Sequence, residues 1–358
     1  MNVLSPFKIS LIFLFCSCCG YFYAGAQINP KIYMKVLDLE KMKSRKLLVE
    51  LIEPDEKKLE KLEKKKNKDP ERYEQYIAKI KDYNQYIQSA IMKYWHLNQD
   101  FEFVKTSQID DILNQSGQKK NKDYALLRLA ELSDMDIVFG RKSDIGVMLL
   151  NYGRSEQITN KPDYHIYIPN TGIRNNALWT ESDIVLAVRM LHNHIEYIAS
   201  KKKVINFDDF QEISVNDNCV HLNAGILLID SLLIDAKNVS NIIREIEVDT
   251  KLDIQLTDNN SVLKALNENE NNTYTLACIP YGIAKPESII PGFSASILIT
   301  GKLMIHCKDA QIYNSHEWIK RGIELGFKKV KPGIQKRNIE GILTCNDKID
   351  AKIKQKKK

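Results

Sequence analysis

Phe101-Glu102-Phe103-Val104, followed by Ile109-Asp110-Asp111-Ile112-Leu113 and then Asp123-Tyr124-Ala125-Leu126-Leu127, is the stretch on which the fold turns. The first run is aromatic and β-branched over a strand's length. In the second, Ile109, Ile112 and Leu113 share one face of a short helix, and the third is again β-rich. A strand, a helix and a strand in that order predict an α/β architecture. The second half of the chain has a matching succession: a strand at 252–256, a helix around 261–266 and a strand from Tyr274. Phe101 to Tyr124 is 23 positions and Leu252 to Tyr274 is 22, so the spacing agrees as well.

Working outward, the apolar run 46–52 predicts an opening strand and 55–95 a long helical region. Further strands are expected at 146–151 and 164–169, and a closing helix over 181–199 with Ile184, Val188, Leu191, Ile195 and Ile198 in an apolar stripe. The second half predicts a strand at 225–234, a helix at 239–247, and strands at 274–279, 294–300 and 303–307. Thr300-Gly301-Lys302 would turn a tight hairpin, and 315–325 a last helix. The fold class is therefore α/β, as two tandem, duplicated β-α-β-α-β-β-β-α modules with mixed sheets. The expected division is a leader at 1–26, modules at 27–200 and 219–327, a linker at 201–218 and a basic tail at 328–358.

Within the helical region, 56–69 is rich in lysine and glutamate, and Tyr73, Tyr76, Ile77, Ile80, Tyr83, Ile87 and Ile91 recur at helical intervals after Pro70. An apolar stripe normally faces a core, which favours a helix packed on its module over a protruding arm that docks a partner.

Residues 1–26 place Lys8 before an apolar run and end on Ala24-Gly25-Ala26, the pattern of a secretory signal peptide. The mature chain is expected in the periplasm or secreted. Cys16, Cys18 and Cys19 raise the alternative of a lipidated leader, but Phe15-Cys16-Ser17 before Cys18 is a poor match to such a site. No stretch supplies the roughly 20 apolar residues of a membrane span. Cys219, Cys278, Cys307 and Cys345 remain after cleavage, and their spacing selects none of the three pairings open to four cysteines.

The formal net charge of +6 is modest and concentrates in the tail, whose lysines suit an anionic surface; the body is not a nucleic-acid surface. No phosphate loop, dinucleotide fingerprint, nucleophile elbow or HExxH occurs, so no catalytic residue and no cofactor is assigned. His192 and Glu196, four apart on a helix, are the weak metal candidates, since His194 diverges from His192 around the axis. His306 and Cys307, adjacent on a strand, point to opposite faces. Asp134, Asp136, Arg141 and Asp144 form a polar loop without calcium-loop spacing. Proline follows a predicted strand in both halves, at Pro169 and Pro280, and should end each ladder. Arg174, Trp179 and Tyr281 in the loops that follow are the candidate partner contacts, because amphipathic aromatics and arginine suit interfaces.

The overall plan resembles exported proteins of Gram-negative bacteria. The stretch from Phe101 to Leu127 resembles the α/β domains of the periplasmic TolB N-terminal and curli-secretion lipoprotein families. That resemblance implies a periplasmic interaction domain and transfers no functional residue. The expected function is thus a non-enzymatic module that binds another envelope protein. Binding of a small ligand or polymer between modules is the alternative, and an enzyme with an unfamiliar site comes third.

Overall fold

The computed structural model describes residues 36–115, 123–131, 146–151, 164–169, 171, 179–203, 205, 207–222, 224–233, 252–284 and 294–324. The elements, in chain order, are α1 (Val36–Lys43), β1 (Lys46–Leu51), α2 (Glu56–Glu63), α3 (Pro70–Tyr94), β2 (Phe101–Lys105), α4 (Thr106–Gln115), β3 (Tyr124–Glu131), β4 (Gly146–Asn151) and β5 (Tyr164–Tyr167). They continue with α5 (Glu181–Lys201), α6 (Phe207–Asn218), β6 (Gly225–Asp230), β7 (Leu252–Thr257), α7 (Asn259–Glu268), β8 (Thr273–Ala284), β9 (Ser294–His306) and β10 (Ile312–Glu324).

The α/β class holds. Two five-stranded sheets form, in the orders β2-β1-β3-β4-β5 and β7-β6-β8-β9-β10. In each, the first strand pairs in parallel with the second and third, and the last two strands are added antiparallel. Parallel neighbours need a crossover of about a dozen or more residues, and the helices between the first strands of each half supply it. Strand order and sense therefore agree between the halves.

The ends of the halves differ from expectation. Residues 315–325 were expected as a helix, yet β10 runs through Glu324 and pairs with β9 along its whole length. The cause is non-local. β9 is rich in β-branched residues, and its outer edge presents unpaired backbone groups that a further strand satisfies. Thr300-Gly301-Lys302 does not turn: β9 is continuous, with Gly301 paired to Ile279 on one side and Glu317 on the other. The true turn follows His306, where Ala310 adopts φ 55° and its N–H donates to the His306 carbonyl at 2.9 Å. Pro280 likewise fails to end β8. The ladder shifts register between Pro280 and Gly282, and the extra residue at that bulge is Tyr281. The segment 201–218 contains α6 rather than being all linker. The helix expected at 239–247, the leader, the polar loop at Asp134–Asp144 and the basic tail lie outside the described residues.

One buried cluster joins the halves. It takes in Leu47 and Val49 of β1, Leu127 of β3 and most of α5, and also Val262 and Leu266 of α7, Ala277 of β8 and Leu303 and Ile305 of β9. Its axis is α5, held at its start by a capping box between Thr180 and Asp183. Beyond the expected stripe, Val185, Leu186, Ala187, Met190 and His194 are buried too. A helix apolar on nearly all sides must be covered on nearly all sides. Here α1 and α3 pack on it from the first half and α7 from the second.

Candidate functional site

The seam between the halves is built from polar groups that satisfy one another. At the start of α5 the Asp183 carboxylate accepts from the Thr171 N–H at 2.7 Å, the Thr171 hydroxyl at 2.8 Å and the Thr180 N–H at 2.8 Å. Ser182 Oγ donates to Asn259 Oδ1 at 2.9 Å, while Asn259 Nδ2 donates to Thr171 Oγ1 at 2.8 Å and reaches Asp230 at 3.4 Å. The first helical residue of α7 and the last residue of β6 are thereby tied to α5. Burial pushes the Asp183 carboxyl up to about 6, against the pull of its hydrogen bonds from Thr180 and Thr171.

Halfway along α5, Arg189 donates to the carbonyls of Leu266 at 3.1 Å and Cys307 at 3.0 Å, and also to that of Lys308. A cation at the last turn of α7 suits that helix end, and the Tyr94 ring covers the guanidinium at 4.8 Å. Tyr94 and Lys93 of α3 reach the same helix end through Asn267, at 2.8 and 3.1 Å. At the far end of α5, the His194 ring stacks on Phe210 of α6 at 4.5 Å, and its Nε2 donates to the Ile205 carbonyl at 3.2 Å. Along α5, the described part of the seam between the halves is occupied by these side chains.

The expected site residues scatter across this frame. Arg174 lies outside the described residues, and of Tyr281 only its place at the β8 bulge is described. Trp179 is 7 % exposed, with its ring edge-on to Tyr83 at 6.0 Å and under the Lys79 ammonium at 4.5 Å, so it packs α3 against the start of α5. His192 Nδ1 lies 3.6 Å from Glu196, and no third ligand joins them: no group of three or more metal-ligating side chains occurs among the described residues. Burial drives the His192 pKa down, and Glu196 opposes it. His306 contacts Asp309 through Nδ1 at 2.9 Å and lies against the rings of Tyr274 and Tyr313. Cys219 is disulfide-bonded, whereas Cys278 and Cys307 are buried free thiols.

What sequence reasoning missed is where the tyrosine stripe leaves the core. Tyr83, Ile87, Ala90 and Ile91 of α3 are buried, but no residue from 54 to 82 is. Asn84 marks the boundary by clamping Ile52, accepting from its N–H and donating to its carbonyl, both at 2.9 Å. Beyond that clamp, α2 and the first half of α3 form a helical hairpin. Asp55 caps α2 and Asp69 caps α3, with Pro70 at the first helical position. Lysine ammonium groups sit over its aromatic rings, Lys58 over Tyr76 at 4.5 Å and Lys66 over Tyr73 at 4.2 Å. At its tip Lys64, Lys65, Lys66 and Lys68 are all exposed. The stripe thus divides, with residues buried in its C-terminal half and none buried in its N-terminal half. No helix among the described residues is long and apolar enough to cross a membrane. Neither a protein-family model, nor a curated protein, nor a solved structure matches the chain.

Proposed function

We propose that this protein is a non-enzymatic interaction module exported to the cell envelope, and that the α2–α3 hairpin is the element by which it docks another envelope component. The observation that carries the reading is the run from 54 to 82 without one buried residue, with four exposed lysines at its tip. A helical pair with no buried residue, touching the core cluster through Lys79 over Trp179, gives that core little of its stability. Its amphipathic build and cationic tip suit an acidic protein surface, which gains in encounter rate and specificity from opposite charge. The rigid seam along α5 supports the same reading, because it holds the base of the hairpin to both sheets. Export is supported by the leader at 1–26 and by the disulfide at Cys219, a bond that persists in oxidising compartments.

The test is to capture the tagged mature protein with its partners from crosslinked envelopes, comparing wild type with a variant in which Lys64, Lys65, Lys66 and Lys68 are all replaced by Glu. The reading expects a reproducible partner that the variant loses while keeping its unfolding temperature. A partner captured equally by both proteins, or none captured by either, would remove the hairpin from the account.

A further inference from the structure

Two buried free thiols, Cys278 within β8 and Cys307 just past the end of β9, differ in their neighbours. Cys278 of β8 and Lys302 of β9 are register partners, and the Lys302 Nζ donates to the Cys278 sulfur at 3.1 Å. Lys302 is 0 % exposed and Cys278 2 %. A lysine that reads as a hairpin residue is instead enclosed in the sheet, with its amine in contact with a thiol that the flanking ladders hold in place.

We propose that Lys302 and Cys278 are an oxidative modification site at which peroxide forms a covalent sulfenamide between the two side chains. The step balances in two stages. Hydrogen peroxide oxidises the thiol, R–SH + H2O2 → R–SOH + H2O, the sulfur losing two electrons and the peroxide gaining them. The Lys302 ammonium releases a proton, its freed lone pair attacks the electrophilic sulfur, the S–O bond breaks, and the hydroxyl leaves with a second nitrogen proton as water: R–SOH + R′–NH3+ → R–S–NH–R′ + H2O + H+. The same condensation is known for sulfenic acid and a backbone nitrogen. Sulfenic acids in water are lost to further oxidation or to other thiols, but here an amine is already in contact and water is excluded. Effective concentration favours the internal reaction. Lys302 also pulls the Cys278 thiol toward ionisation, although burial outweighs it and the thiol stays above its ordinary range. Reaction is accordingly slow and depends on the small size and neutrality of peroxide. Cys307 is the built-in control: the cation that acts on it is the Arg189 guanidinium, which is not a nucleophile.

The test uses the folded full-length mature protein, treated with hydrogen peroxide and digested without reductant at glutamate residues. Cleavage at Glu270, Glu287 and Glu317 places Cys278 on one peptide and Lys302 together with Cys307 on another, so fragmentation of the linked pair must locate the bond at Lys302, a bond at Cys307 being a disulfide that overturns the proposal. The proposal expects one linked pair, lighter than the two reduced peptides together by two hydrogen atoms, released by dithiothreitol and absent from protein oxidised after unfolding in urea. Cys278→Ser and Lys302→Arg should each abolish it. Cys278 found only as sulfinic or sulfonic acid, or a linked pair carrying an additional oxygen, overturns the sulfenamide. Cys278 left unmodified while exposed methionines oxidise overturns the site altogether. Since the linked pair is read in the wild-type chain, the result does not depend on either variant folding.

Discussion

The most searching prediction concerns His194. Its ring is fully buried against Phe210, and burial drives its pKa down from 6.5 to about 3, only partly opposed by the hydrogen bond to the Ile205 carbonyl. In the unfolded chain the imidazole titrates at its ordinary value, so between these two values the unfolded state holds a proton that the folded state does not. Stability is therefore fully present above pH 6.5 and falls as pH drops toward 3. At 1.36 kcal/mol per unit, the window is worth about 5 kcal/mol in total, and about 2 kcal/mol is already lost at pH 5. His194→Phe keeps the stack on Phe210 but removes the titration; the lost hydrogen bond costs about 1 kcal/mol at every pH. Urea denaturation of both proteins at pH 7.5 and pH 5.0, compared by difference, cancels every other titrating group. Wild type should be the more stable at pH 7.5 and the less stable at pH 5.0. Parallel losses in the two proteins would refute the assignment of a neutral, desolvated imidazole.

Three further outcomes follow from the same frame. Asp183→Asn should reveal a pH dependence of the opposite sense: a buried carboxyl raised to about 6 holds its proton more tightly folded than unfolded, so its contribution falls by about 2 kcal/mol as pH rises from 4 to 7, and the wild-type-minus-variant difference in urea unfolding should fall by that amount. Arg189→Met leaves the Leu266, Cys307 and Lys308 carbonyls without their donor inside the seam and should cost at least about 3 kcal/mol in urea denaturation, of which Arg189→Lys restores only part. Gly225→Ala places a Cβ 2.0 Å from the Asn272 carbonyl oxygen, a backbone atom held by the Ile226 N–H, and should lower stability by about 3 kcal/mol in thermal unfolding.

The α/β core was legible because its signals are local. Alternation at Phe101–Lys105, the single apolar face of α4 and the run from Tyr124 need no knowledge of what lies across the sheet. The misread elements are those whose state is set from elsewhere. Residues 315–325 carry Trp318, Ile319 and Ile323, a spacing compatible with either period, and the open edge of β9 decides for strand. Lys302 after a glycine reads as a turn unless Cys278 is known to face it. The count of strands in the second half still came to five, because one strand read as two offset one strand read as a helix.

The candidate site was legible only in part. Tyr73 through Ile91 is one continuous stripe in sequence, and nothing local marks where it leaves the core; the Asn84 clamp on Ile52 does so from across the fold. Trp179 reads as a surface contact because it lies in the loop after Pro169 and amphipathic aromatics suit interfaces, yet Tyr83 and Lys79 of α3 enclose it. One signal could have been read: Val185, Leu186 and Met190 lie off the expected stripe of α5, and apolar residues around a whole helix announce a second layer.

The central claim is that the lysine-tipped hairpin docks a partner, and site-specific photo-crosslinking in living cells tests it most directly. A photoreactive side chain at Asn67, exposed at the tip, is compared with one at Glu268, exposed at the end of α7. The account predicts a discrete crosslinked partner from Asn67 that is absent from Glu268 and disappears when the four tip lysines are reversed to glutamate. The same adducts from both positions, or none from Asn67, would contradict it.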